Sequence, residues 1–133
     1  MVGVVLVTHP NLGEEFIRSA EMICGKFPNL VPVSIDTRRA VEELREEIAR
    51  AVKSVDTGKG VLILTDMFGG TPSNLAISVM SQPKVEVLAG INLPMLIKLA
   101  KVRETVQLEE AVTAAQEAGR KYCTIASRVL NGK

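Results

Sequence analysis

Residues 61–74 read Val61-Leu62-Ile63-Leu64-Thr65-Asp66-Met67-Phe68-Gly69-Gly70-Thr71-Pro72-Ser73-Asn74. The first four form a continuous apolar run, the signature of a strand buried on both faces. Gly69-Gly70 then turns the chain, and Thr71-Pro72 reads as a helix start, with Thr71 as N-cap and Pro72 at the first helical position. A doubly buried strand that feeds a helix through a short turn is half of a βαβ unit. This stretch therefore predicts a parallel sheet covered by helices on both sides.

The same alternation extends in both directions. Upstream, Val2 to Val7 is a second apolar, β-branched strand. Asn11 with Glu14 matches a capping box, and Leu12, Phe16, Ala20, Ile23 and Cys24 follow at helical spacing up to Gly25. Leu30 to Ile35 is a strand whose Pro32 predicts an edge position. Val41, Leu44, Ile48, Ala51 and Val52 line one face of a helix that ends before Gly58. Downstream, Val85, Val87 and Leu88 mark a fourth strand, a helix starts near Pro94, and Leu108, Ala111, Val112 and Ala115 mark a last helix. Tyr122 to Ala126 reads as a short fifth strand. The expectation is an α/β fold with residues 1–133 as one domain: an open, doubly wound three-layer sandwich whose mainly parallel sheet runs in the order 2-1-3-4.

Composition narrows the function. The 133 residues are 47% hydrophobic and 23% charged, enough for a core, which excludes a disordered tail, a disulfide miniprotein and a fibrous repeat. Sixteen basic residues face fifteen acidic ones, and only Phe16, Phe27, Phe68 and Tyr122 are aromatic, so nucleic-acid binding has neither charge nor stacking platforms. Cys24 and Cys123 form no C-x-x-C pair and read as buried small apolar side chains in a reducing cytosol. The apolar N-terminal run is too short to span a membrane and lacks a cleavage site, so a cytoplasmic protein is expected.

The order 2-1-3-4 places the first and third strands side by side in the middle, with a crevice where their outgoing loops diverge. His9 ends the first strand and Asp66 the third. His9 is the only histidine, and with two distant cysteines it makes a poor ligand set, so no metal is expected. As a nucleophile it needs an acceptor on one ring nitrogen, which Asp66 supplies, leaving the other nitrogen free to attack. Gly69 and Gly70 let backbone approach an oxyanion, and Thr71 and the helix start add donors. The loop has no lysine, so it suits a phosphoryl group and not a nucleoside triphosphate. Taken from spacing alone, plainer readings stay open: a surface histidine, an aspartate capping a turn, glycines that only shape it.

These residues resemble the mannose-type (mannose, fructose, sorbose) IIA domain of the bacterial phosphoenolpyruvate-dependent sugar phosphotransferase system. The resemblance rests on Gly3 to His9, on Gly60 to Asn74, and on Ala89-Gly90-Ile91-Asn92-Leu93-Pro94-Met95-Leu96. It implies a phosphotransferase component with a phosphohistidine intermediate and no cofactor. His9 Nε2 would accept a phosphoryl group from HPr and pass it to a IIB domain that serves membrane IIC and IID components. Asp66 would hold Nδ1–H, and Gly69, Gly70 and Thr71 would receive the phosphoryl oxygens. Pro10, Phe68, Asn92, Leu93, Pro94 and Met95 would form the rim that meets partners, bringing the protein to the inner face of the membrane. The resemblance also implies a homodimer that exchanges a C-terminal strand, here Tyr122 to Ala126. One departure is Pro10, where the family usually has glycine. Rival readings are a regulatory phosphohistidine module that signals by protein binding, a ligand-binding module without chemistry, and a receiver with Asp66 as acceptor. The last lacks the acidic pair it needs after the first strand.

Overall fold

Side chains alternate across a strand, so a strand covered on both faces buries every position and reads as a near-continuous apolar run. In the computed structural model, which describes residues 1–80 and 84–132, this holds for β1 (Gly3–Thr8) and β3 (Val61–Thr65), every residue of which is buried. Between and after them run α1 (Leu12–Cys24), β2 (Leu30–Ser34), α2 (Val41–Val55), α3 (Thr71–Ser78), β4 (Val85–Ala89), α4 (Leu93–Val102), α5 (Leu108–Lys121) and α6 (Ala126–Leu130). The strands are parallel and ordered β2-β1-β3-β4, as the sequence predicts, with Pro32 on the edge strand β2. Val4, Leu6, Leu62 and Leu64 pack against Ala20 of α1, Met95, Leu96 and Leu99 of α4, and Ala111 and Ala115 of α5. On the other face Val5, Val7, Val61 and Ile63 meet Leu44, Ile48 and Val52 of α2 and Leu75 and Ala76 of α3. Each such Val or Leu contributes about 1.5–3 kcal/mol by burial, which pins the strand register. That register pairs Val7 with Thr65, so the chain leaves β1 and β3 side by side at His9 and Asp66.

The opposite end of the sheet is closed by Arg103, a residue the sequence pattern leaves unmarked. Its side chain is buried; Nε donates to the Val2 carbonyl (2.9 Å), one Nη to the Asn29 carbonyl (2.7 Å), and the guanidinium lies 5.2 Å from the centre of the Phe27 ring. Burial pulls its pKa down to about 10, against the opposing pull of Glu104.

Four expectations are corrected. Tyr122 to Ala126 forms no strand: Tyr122 ends α5 and the chain passes through residues 123–125 into α6, whose residues are all exposed. A strand has no stability without a neighbour to pair with, and within one copy this segment meets no sheet edge. The capping box at Asn11 is not made, because Asn11 adopts φ 66°, ψ −3°, while a side-chain N-cap needs extended geometry; Glu14 turns to Ser34 instead. Cys24 and Cys123 are exposed, since α1 turns Gly13, Phe16, Ile17 and Ala20 to the core and Cys123 lies beyond the end of α5. The N-cap of α3 is Gly70, extended at φ −83°, ψ 171°, so Thr71 and Pro72 are its first two residues. Among the described residues no helix is long and apolar enough to cross a membrane.

Candidate functional site

At the end of β1 the buried Thr8 hydroxyl accepts the Gly13 N–H (2.9 Å) and donates to the His9 carbonyl (2.8 Å), folding the chain tightly into α1. His9 is thereby set at the mouth of the crevice between β1 and β3. One carboxylate oxygen of Asp66 accepts both the His9 main-chain N–H (2.9 Å) and ring Nδ1 (2.6 Å). Its other oxygen accepts the Met67 N–H (2.9 Å). Asp66 is 10% exposed and the imidazole 49%, so the pair is anchored inside and open outside. Burial pushes the Asp66 carboxyl up, but the His9 N–H, the His9 ring and the Met67 N–H outweigh it and hold the group below the usual carboxylate range. An ionised carboxylate only accepts hydrogen bonds. Nδ1 must therefore carry a proton, and in the neutral ring the lone pair sits on Nε2, which makes no hydrogen bond among the described residues.

The β3–α3 turn lies beside the imidazole. Gly69 takes φ +89°, a left-handed conformation that glycine adopts without strain, and its N–H lies 3.4 Å from Ser73 Oγ. A β-carbon at Gly70 would stand 3.6 Å from His9 Cε1, so the missing side chain keeps space clear beside the imidazole. The amides of Phe68, Gly70 and Thr71 have no hydrogen-bond partner among the described residues. At the start of α1 the matching amides are taken: Asn11 donates to Ser34 Oγ, Leu12 to the His9 carbonyl and Gly13 to Thr8. Free donors for an anion thus come from the β3–α3 turn and the start of α3, where the helix dipole also favours negative charge. A half-exposed imidazole beside unpartnered main-chain amides has the chemistry to take up a small anionic group.

The structure brings His9, Asp66, Gly69, Gly70 and Thr71 together. Of the other residues singled out, Pro10 is exposed beside His9 and Phe68 is 77% exposed. Leu93 and Pro94 are half-buried in the first turn of α4. Met95 is buried, and Asn92 spends its side chain within the fold, accepting the Met95 N–H and donating to the Gly119 carbonyl (3.1 Å each). Sequence reasoning missed Met67, which is 58% exposed next to Phe68, and the pair Ser34–Glu14 behind the histidine turn. An apolar Met-Phe pair directly after a strand-end aspartate was the available signal for the first. Among the described residues no three His, Cys, Asp or Glu side chains gather as a metal ligand set.

The profile of a family described as "PTS system fructose IIA component" matches residues 3–116. The chain is 34% identical over 122 residues to the mannose-specific EIIAB component of the phosphotransferase system of Escherichia coli K12, covering 90% of this chain and 38% of that protein's length. It is 29% identical over 128 residues to the sorbose-specific EIIA component of Lacticaseibacillus casei, covering 96% and 92%. A crystal structure of a phosphotransferase system component EIIA from Streptococcus agalactiae superposes with a TM-score of 0.86 at 25% identity, covering 96% and 98%.

Proposed function

The chain belongs to the mannose-type IIA family of the sugar phosphotransferase system, and on that premise we propose that His9 carries a phosphoryl group from HPr to a IIB domain. The Nε2 lone pair attacks the phosphorus of a phosphohistidine on the donor. A bond forms between Nε2 and phosphorus as the donor's N–P bond breaks, and that bond's electron pair stays with the donor ring. His9, keeping its proton on Nδ1, becomes cationic, and the Asp66 carboxylate neutralises the charge. The Phe68, Gly70 and Thr71 amides and the Thr71 hydroxyl receive the phosphoryl oxygens. Transfer to a IIB domain is the same step in reverse, and little beyond positioning and charge stabilisation is required. The observation that carries this reading is the double grip of one Asp66 oxygen on His9 N–H and Nδ1.

The exposed Pro10, Met67 and Phe68 provide the apolar surface on which HPr and the IIB domain dock in turn. The IIB domain then serves the membrane IIC and IID components that import and phosphorylate a sugar, which holds this protein at the cytoplasmic face of the membrane. Two copies exchange their C-terminal segments. The support is a proline-free edge strand β4 beside a groove of about 460 Å³, and a terminal segment with Ile125, Val129 and Leu130 exposed. Sedimentation velocity at micromolar concentration tests this, and a monomer would refute it. The transfer role is tested by labelling the protein with phosphate from phosphoenolpyruvate, enzyme I and HPr, then adding a purified IIB domain. Label that moves to the IIB domain supports the role. Label that stays on a folded protein across cognate IIB partners would favour a regulatory phosphohistidine module instead.

A further inference from the structure

His9 is followed by a residue with no N–H, Pro10, and then by Asn11 in a left-handed conformation, which asparagine adopts at less cost than other side-chain-bearing residues. The neighbouring strand adds a hold on it. Ser34, the last residue of β2, accepts the Asn11 N–H on Oγ (3.1 Å), and both carboxylate oxygens of Glu14 lie 2.9 Å from that same Oγ. The hydroxyl has one proton, which it donates to Glu14; that donation strengthens Oγ as an acceptor for Asn11. The turn is therefore gripped at both ends, at His9 N–H by Asp66 and at Asn11 N–H by Ser34, with the donorless Pro10 between them.

We propose that Ser34, polarised by Glu14, is a positioning residue that keeps Nε2 of His9 aimed at the Gly70 side of the crevice; the proposal rests on His9 being the phosphoryl acceptor. Asp66 fixes the imidazole at Nδ1, and the Thr8 hydroxyl and the Leu12 N–H hold the His9 carbonyl. Ser34 adds the one side-chain hold on the Asn11 N–H and so tightens the far end of the turn. Without it, Asn11 relaxes to a commoner conformation, the Pro10 ring moves, and Nε2 samples orientations away from the incoming phosphorus, which lowers the rate of the chemical step and leaves donor binding intact.

The test compares the parent with Ser34→Ala, Glu14→Gln and Ser34→Thr in single-turnover phosphorylation by phospho-HPr, alongside NMR of the His9 ring nitrogens and the Asn11 amide. Ser34→Ala is expected to lower kcat about fivefold, the net worth of one hydrogen bond, with KM for HPr within about twofold. Glu14→Gln is expected to lower it less, and Ser34→Thr, which keeps the hydroxyl, to restore the parental rate. The Asn11 amide and His9 signals should shift in Ser34→Ala while the remaining amides stay in place. A parental kcat in Ser34→Ala overturns the proposal. So does a loss that Ser34→Thr does not restore, or one that accompanies collapse of the amide spectrum, because either marks a purely structural residue. A parent protein that takes up no phosphoryl group overturns the acceptor reading itself, and the positioning role with it.

Discussion

Asp66→Asn keeps the size and shape of the side chain and removes its charge. In the parent, one oxygen faces two donors, the His9 N–H and Nδ1–H, while the other faces the Met67 N–H. An amide has only one oxygen. If its NH₂ turns toward His9, the ring must accept at Nδ1, and the proton moves to Nε2, where it blocks the attacking lone pair. If the oxygen stays toward His9, the NH₂ opposes the Met67 N–H. In both orientations the cationic phosphohistidine loses its charge-assisted partner at 2.6 Å. The difference between a charged and a neutral hydrogen bond at such a site is about 2 kcal/mol, which corresponds to about 30-fold in rate. Rapid-quench phosphorylation by phospho-HPr at neutral pH should show that loss in Asp66→Asn and at least as much in Asp66→Ala, with both proteins folded. Equal rates in variant and parent would remove Asp66 from the mechanism. The same variant reads out a stability effect. A carboxyl held below its unfolded value stabilises the fold at pH above that unfolded value, about 3.9, and the contribution fades as pH falls through the lower folded value. Urea melts should therefore show the parent's advantage over Asp66→Asn constant from neutral pH down to weakly acidic conditions and vanishing in strong acid. An advantage that grows on acidification would contradict the shift.

Gly70→Ala should leave the fold intact, because Gly70 has an ordinary φ of −83° and the nearest atoms to a β-carbon lie at 3.5, 3.6 and 3.8 Å. It should still slow phosphorylation about tenfold, by placing a methyl group against His9 Cε1 where the phosphoryl oxygens enter; an unimpaired rate in stopped-flow assays would mean the cradle lies elsewhere. Arg103→Lys loses the fork that spans the Val2 and Asn29 carbonyls and should cost about 2 kcal/mol, seen as a Tm lower by several degrees. Because Arg103 sits at the far end of the sheet from His9, the phosphorylation rate of this variant below its melting range should match the parent's.

The fold was legible because β1 and β3 are continuous apolar runs up to their last residues, Thr8 and Thr65, a pattern that a doubly covered strand requires, and because Pro32 marked its own strand as an edge. Strand order then placed His9 and Asp66 at one crevice, so the two ends of the 2.6 Å contact could be named before any coordinates. What escaped the sequence was decided across elements. Two stripes of α1 have helical spacing, Leu12-Phe16-Ala20-Ile23 and Gly13-Phe16-Ile17-Ala20, and only the position of the sheet selects the second. Glu14 satisfies a local capping pattern, yet a hydroxyl on β2 competes for it and wins once Asn11 turns left-handed. Arg103 reads as a surface cation after α4 until the carbonyls of Val2 and Asn29, distant in sequence, converge on it. Tyr122 to Ala126 has strand-like residues but finds no strand to pair with in a single copy.

The most direct test of the account is intact-mass measurement with phosphosite mapping after incubation with phosphoenolpyruvate, enzyme I and HPr, beside a His9→Gln control. The account predicts a single acid-labile phosphoryl group on His9 of the parent and none on the control. Folded parent protein that gains no phosphoryl group from active HPr, or a control that gains one equally, would contradict it.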